Sequence, residues 1–344
     1  MRTEISELGE FALIDRLTDT IETTHPTTIM GAGDDAAVLS FAEDNLTLLT
    51  TDLLLEGVDF DLSYFPLMHL GYKAVTRGVS DILAMNGLPT ALTLSLGVSS
   101  KLSVEDLEDL YSGVRHACGE LGCDIVGGDT TASVNGLTIN VSVVGTVPRD
   151  RITYRSGARE NDLVFITGDL GAAYLGLHLL ERERRALADV DNPQPQFDGY
   201  EYLLVRQLRP RARRDIVDAL AAEGIVPTSM IDLSDGLASD LLQICRSSEV
   251  GTRIYLDRLP IARETHNLAA ELNLDPVVAA LNGGDDHELL FTVPLEMQER
   301  VTALGLGIEM IGYITPASGG AALITPDGEQ IPLQAQGFRS VVSD

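Results

Sequence analysis

Apolar and polar residues alternate along several short stretches of this chain and follow helical spacing along others. Leu46 to Thr51, Ala91 to Val98, Cys123 to Val126 and Thr138 to Val147 carry the pattern of strands. Between them one helix is sharply delimited: Ser103 and Asp106 form a capping box, and Leu107, Leu110, Tyr111, Val114, Ala117, Cys118 and Leu121 follow one face up to Gly122. An earlier helix is predicted from Leu67 to Met85. After about Asp150 the pattern starts again, with strand Leu163 to Thr167, helix Leu170 to Arg184 and a Pro- and Asp-containing loop from Leu187 to Tyr200. Helix Arg211 to Glu223, strand Ser229 to Leu233, helix Gly236 to Glu249 and strand Glu288 to Val293 follow.

Strands and helices interleave throughout, which predicts an α/β chain in two halves, residues 1–150 and 151–344. The length agrees, because 344 residues exceed what a single core usually serves. Charge narrows the partners. Acidic residues outnumber basic ones 52 to 24, and a net charge of −28 repels nucleic-acid backbones and anionic membranes. A solvated acidic surface explains most of it. Lys73 and Lys101 are the only lysines, so a polyphosphate ligand would need neutralising largely by divalent metal. Cys118, Cys123 and Cys245 form no C-x-x-C pair, as expected of reduced thiols in a cytoplasmic protein. No signal-like run and no apolar stretch near ~18 residues is present, so neither secretion nor membrane insertion is expected.

The chemistry is concentrated where acidic residues meet glycine or threonine at strand ends. Five such segments occur: Gly33-Asp34-Asp35, Thr50-Thr51-Asp52, Gly127-Gly128-Asp129-Thr130-Thr131, Asp232-Leu233-Ser234-Asp235-Gly236 and Gly283-Gly284-Asp285-Asp286. Glycine lets backbone approach a phosphate, and a neighbouring carboxylate can ligate a hard cation. Any one of them alone is more often an ordinary turn. Five in one chain are not. Asp81 adds a separate argument, since it shares a helical face with Ala74, Gly78 and Met85, and a carboxylate on such a face needs a cation or metal. An ion pair with Arg77, one turn back, is the structural alternative. The chain has no G-x-x-x-x-G-K-[ST] loop, no H-E-x-x-H and no G-x-S-x-G. His287, with no nucleophile nearby in sequence, is expected to be structural.

Taken in order, these segments resemble the thiamine-monophosphate kinase family of the aminoimidazole ribonucleotide synthetase-like superfamily. The most specific elements are Gly33-Asp34-Asp35-Ala36-Ala37, Ser80-Asp81-Ile82-Leu83-Ala84-Met85-Asn86-Gly87, Asp232-Leu233-Ser234-Asp235-Gly236-Leu237 and Gly337-Phe338. The resemblance implies a two-domain α/β fold, with an N-terminal domain for ATP, Mg²⁺ and dimerisation and a C-terminal domain completing the site. In the homodimer it implies, N-terminal sheets of two subunits close a barrel. The implied activity is ATP-dependent phosphorylation of thiamine monophosphate to thiamine diphosphate by direct transfer, assisted by several Mg²⁺ ions. By the same resemblance Asp34, Thr50, Thr51, Asp52, Asp81, Asp129, Asp232 and Asp235 hold metal, and Gly128, Asp129, Arg155 and Ser234 contact ATP. Asp59, Asp285 and Phe338 fall where the family contacts the thiamine phosphate.

Two positions depart from the family: Asp59 stands where it commonly has His, and Asp285 where it has Glu. Asp59 cannot donate a hydrogen bond to a phosphate as His can, and would repel it if ionised. Two other functions compete. A sister ATP-dependent enzyme would keep the metal and nucleotide residues but change the acceptor, whereas a non-catalytic ion- or nucleotide-binding protein would use the acidic loops for binding alone.

Overall fold

A period-two pattern in the first long strand decides which of its side chains reach the core. The computed structural model describes residues 26–31, 33–187 and 194–335. Its first sheet contains β1 (Thr28–Met30), β2 (Ala37–Leu39), β3 (Asn45–Leu55), β4 (Leu88–Ser99), β5 (Asp124–Ser133) and β6 (Thr138–Pro148). The spatial order is β1-β2-β3-β6-β4-β5, antiparallel except for the parallel β4–β5 pair. In β3, Leu46, Leu48, Thr50 and Leu54 are buried on one side, while Leu49, Thr51, Leu53 and Leu55 are exposed on the other.

Two helices cover the inner side of this sheet: α1 (Leu67–Ala84) and α2 (Val104–Leu121). The capping box of α2 forms as expected, with the Ser103 hydroxyl accepting from the Asp106 amide and the Asp106 carboxylate accepting from the Ser103 amide. The helices cross with their backbones almost touching. A Cβ on Gly71 would lie 2.0 Å from the Leu110 carbonyl oxygen, and one on Gly113 would lie 1.7 Å from that of Met68. Only glycine permits this approach.

The second half opens with β7 (Leu163–Thr167), α3 (Ala172–Ala186), α4 (Glu201–Leu208), α5 (Arg214–Ala222), β8 (Ser229–Asp232), α6 (Leu237–Ser248) and β9 (Val250–Tyr255). It continues with α7 (Arg263–Leu272), α8 (Pro276–Asn282), β10 (Leu289–Val293), α9 (Gln298–Ala303), β11 (Ile308–Pro316), β12 (Ala321–Ile324) and β13 (Gln330–Pro332). These strands form a mixed sheet of order β13-β12-β9-β11-β7-β10-β8, with β12 and β9 parallel. Leu163 and Phe165 of β7 face a core shared with the first half, while Val164 and Ile166 face a second core under α6 and α8. Burial on both faces explains why this strand reads as an unbroken apolar run.

The strands and helices named from the sequence are present, with β5 running on to Ser133 rather than ending at Val126. Elements that carried no clear pattern, among them α4, α7, α8, β9 and β11, complete the second half. The expected loop from Leu187 to Tyr200 lies partly outside the described residues. All three cysteines are buried and free.

The helix crossing yields a paired test. Gly113→Ala should lower unfolding stability by roughly 2–3 kcal/mol, because a backbone carbonyl cannot yield to the added methyl. Gly119→Ala on the same helix, with nothing within 4 Å of its Cβ, should be neutral or stabilising by up to about 1 kcal/mol. Urea denaturation of both variants measures the difference, and equal stabilities would contradict the close crossing.

Candidate active site

Helix α1 lies where the two halves meet, so side chains along it reach toward both sheets. Gly78 keeps it close to the first sheet, since a Cβ there would come within 2.8 Å of Val143 and 3.4 Å of Asp52 Oδ2. Ser80 turns the other way and donates to Asp232 Oδ2 at the end of β8, at 2.7 Å. Asp81, one residue on, accepts from the Thr50 hydroxyl at 2.5 Å. Thus β3, α1 and β8, far apart in sequence, come together at one place.

Carboxylate oxygens of Asp35, Asp81 and Asp232 lie within 4.8 Å of one another. Asp52, on the buried side of β3, stands near enough for its charge to act on Asp81, and its Oδ2 is buried without a hydrogen-bond partner among the described residues. Arg155 holds Asp35 in a fork, Nη2 to Oδ1 at 2.7 Å and Nε to Oδ2 at 3.1 Å, while its amide donates to Asp34 Oδ2 at 3.0 Å. One arginine does not balance the group. Burial pushes the Asp35 carboxyl up to about 7, with Asp232 and Asp34 adding to it against the pull of Arg155. Burial also raises Asp81 well above the ordinary range, helped by Asp52, Asp232 and Asp35, and raises Asp34 and Asp52. For Asp232, burial is outweighed by His287, Ser80 and Arg155, and it stays below the ordinary value. Carboxylates this close, with so little positive charge, have the composition of a site for hard divalent cations.

Two loops of the second half form the other wall. The segment after β8 is zipped to the segment before β10 by backbone bonds: Asp285 amide to Ser234 oxygen at 2.8 Å, His287 amide to Leu233 oxygen at 2.9 Å and Leu233 amide to Glu288 oxygen at 2.8 Å. Asp285 and His287 adopt left-handed backbone, φ 64° and 52°, an arrangement uncommon in non-glycine residues and held here by the pairing of Asp285 with Lys73 and by the buried His287 side chain. Lys73 of α1, buried to 2%, is ion-paired with Asp285 and donates to the Gln207 oxygen at 2.9 Å. His287 sits between two carboxylates, 3.1 Å from Asp285 Oδ1 and 3.6 Å from Asp232 Oδ2. Burial works against the Asp285 carboxylate, but Lys73, His287 and Arg77 outweigh it and hold it well below the usual range. Beneath the loop, Glu288 accepts from Thr167 at 2.6 Å, Arg206 at 2.7 Å and Arg213 at 2.6 Å.

These walls enclose a cleft of about 470 Å³ lined from both halves, by Asp52, Asp59, Arg77, Asp81, Asp232, Ser234, Asp235, Asp285 and His287 among others. Phe60, Tyr64, Tyr174 and Leu177 add an apolar side. Most of the site residues expected from the sequence are therefore gathered here or against its wall. Thr51 is not: it faces the opposite, exposed side of β3, where its hydroxyl meets Ser142 and Asn140. Gly128 and Asp129 lie on the exposed edge strand β5. The cross-strand row Asp52–Val141–Leu94–Gly128 puts them three strands from Asp52, ~14 Å at the usual strand spacing. Gly128 has a packing reason of its own, because a Cβ would lie 2.1 Å from the Leu94 oxygen. Phe338 lies outside the described residues.

Sequence reasoning places Asp35 in an acidic segment but assigns the metal role to its neighbour Asp34; it names Lys73 and Arg77 without a role in the site and does not single out Asp240. Asp240 is buried on α6, and its carboxylate accepts from the Asp235 amide at 3.2 Å, fixing the turn that presents Asp232 and Asp235. The i, i−4 pair of Arg77 with Asp81 does not form; Arg77 turns to Asp59 at 3.1 Å and Asp52 at 3.9 Å. His287, expected to be structural, lines the cleft and links its two walls.

Known proteins share this fold and part of this sequence. Residues 33–147 match the N-terminal domain of AIR synthase related proteins, and residues 159–324 match the C-terminal domain. The chain is 36% identical over 293 residues to the thiamine-monophosphate kinase of Aquifex aeolicus, spanning 85% of this chain and 88% of that protein. It is 32% identical over 336 residues to the one from Bacillus subtilis, spanning 96% and 99%. A solved structure described as "AaThiL complexed with AMPPCP and TMP" superposes with a TM-score of 0.83 at 32% identity, covering 98% of this chain and 99% of that one.

The buried ion pair supplies a stability test. Lys73→Met strands the Asp285 charge and should cost about 3 kcal/mol, the low end for a buried pair because Asp285 keeps 30% of its side chain exposed. The double variant Lys73→Met/Asp285→Asn should recover part of that loss in urea denaturation. A single variant as stable as the parent would mean the pair is immaterial.

Proposed function

The chain belongs to the thiamine-monophosphate kinase family, and from that premise we propose how its carboxylates serve the transfer of the ATP γ-phosphoryl group to thiamine monophosphate. The observation that carries the reading is the meeting of Asp35, Asp81 and Asp232, contributed by three distant segments, within 4.8 Å. Such a cluster answers the central difficulty of this reaction, which is to bring one polyanion against another.

Several Mg²⁺ ions fit the donor set. Asp35, Asp52, Asp81 and Asp232 would hold them, with Asp34, Thr50 and Asp235 beside them, and the unpartnered Asp52 Oδ2 supports this. Bound there, Mg²⁺ would neutralise phosphate oxygens and keep donor and acceptor in line. The protein's own part is positioning. An acceptor phosphate with a second pKa near ~6 is mostly dianionic at neutral pH, so no side chain need remove a proton before attack. Ser234, exposed on the turn after β8, and Arg155 would contact the nucleotide, while Asp59 and Asp285 would border the acceptor. Tyr64 and Tyr174 bring aromatic rings to the same cleft, against which a cationic ring would pack.

We further propose that two copies pair through the first sheet. Leu49, Leu53 and Leu55 on β3 are exposed together on the outer face of a sheet whose edge strand β5, with Val126, is uncovered. A second copy would bury this apolar surface, the open edge, Thr51 and the strand bearing Gly128 and Asp129.

Purified protein with Mg²⁺ and ATP should convert thiamine monophosphate to the diphosphate, and Asp52→Asn and Asp235→Asn should each reduce kcat by on the order of 100-fold or more with the fold intact by circular dichroism. Full activity in both variants would reject the metal assignment. Leu53→Glu should yield a monomer in light scattering; an unchanged mass would reject pairing through this face.

A further inference from the structure

The geometry points to Arg77, oriented by Asp59, as the side chain that binds the phosphate of the acceptor in this chain. This deepens the phosphotransferase reading and rests on it. Asp59 posed the problem: a carboxylate stands where the family commonly has His, and alone it would repel a phosphate. Its two oxygens are both engaged. Oδ2 accepts from the Leu55 amide at 2.8 Å, closing the turn after β3, and Oδ1 accepts from Arg77 Nη1 at 3.1 Å. The charge that would repel the substrate instead aims a guanidinium.

The other cations of the cleft are less suited to the task. Lys73 and His287 are 2% exposed and already paired with Asp285. Arg184 stands at the rim, 43% exposed, paired with Asp61 and lying 5.7 Å over the Tyr64 ring. Arg77 is 25% exposed, lines the cleft itself, and has its Nε 3.9 Å from Asp52 Oδ1. Nη2 has no partner among the described residues. A planar fork with one corner fixed by Asp59 and another N–H open to the cleft suits a phosphate, which takes two parallel hydrogen bonds from such a group. The position also suits the reaction, because Asp52 ties the guanidinium to the carboxylates proposed to hold Mg²⁺. A phosphate resting on Arg77 would lie against that cluster, where the γ-phosphoryl group must arrive.

The arrangement has a definite signature. Arg77→Met should raise the KM for thiamine monophosphate on the order of 10- to 100-fold, with the KM for ATP changed less than about threefold. Binding of thiamine, which lacks the phosphate, should be unchanged when measured by calorimetry with Mg²⁺ and a non-hydrolysable ATP analogue. Arg77→Lys keeps the charge without the fork and should fall between, and it serves as the reporter if the methionine variant does not fold. Asp59→Asn, which can still accept from the Leu55 amide, should weaken thiamine monophosphate and spare thiamine. Equal loss of both ligands in the Arg77 variants would mean a merely structural role, and unchanged binding of thiamine monophosphate would also overturn the assignment. A parent enzyme that phosphorylates thiamine monophosphate alongside such variants removes this inference alone, whereas a parent enzyme with no turnover removes the phosphotransferase reading and this inference with it.

Discussion

Repulsion among carboxylates gathered at the junction of the two halves is the constraint on which the rest of this structure depends. Asp35, Asp81 and Asp232, with Asp52 acting on them from nearby, come from four segments, and bringing them together in a largely buried place opposes folding. The molecule meets that cost with a few well-placed donors. Arg155 forks onto Asp35, Ser80 donates to Asp232, and His287 stands between Asp232 and Asp285. The deficit that remains is what makes the place suited to cations.

The donors themselves need a stiff support, and the second half provides it. Glu288 gathers Arg206, Arg213 and Thr167 beneath the loop that carries Asp285 and His287, while Asp286 accepts from the Gly171 amide at 3.0 Å. A loop with two left-handed non-glycine residues would not keep one shape without such a floor. These contacts hold its side chains in place, which is how a site dominated by electrostatics gains from rigidity.

Much of this was legible in the sequence because the fold obeys local periodicity where the site is built. The period of two in β3 delivered Thr50 and Asp52 to the inside, and helical spacing marked Asp81 as a carboxylate on a buried face. Local rules also had definite limits. The same period sends Thr51 outward, although it adjoins two inward-facing residues. Asp34 and Asp35 are neighbours in an irregular segment, so no periodicity said which would meet Asp81. Arg77 and Asp81 are correctly spaced for a helical ion pair, yet Arg77 leans to Asp59 and Asp52, tertiary partners that spacing along one helix cannot announce. Lys73 was visible only as one of two lysines; its pairing with Asp285, 212 positions away, belongs to the fold alone.

That scarcity has a practical consequence. Lys101 is exposed, whereas Lys73 is enclosed between the two halves. Besides the amino terminus, an acylating reagent applied to the native enzyme thus finds one side-chain amine readily and a second only when the halves separate. The chain carries a built-in chemical clock, in which the slow appearance of a second modified lysine would time the opening of the cleft.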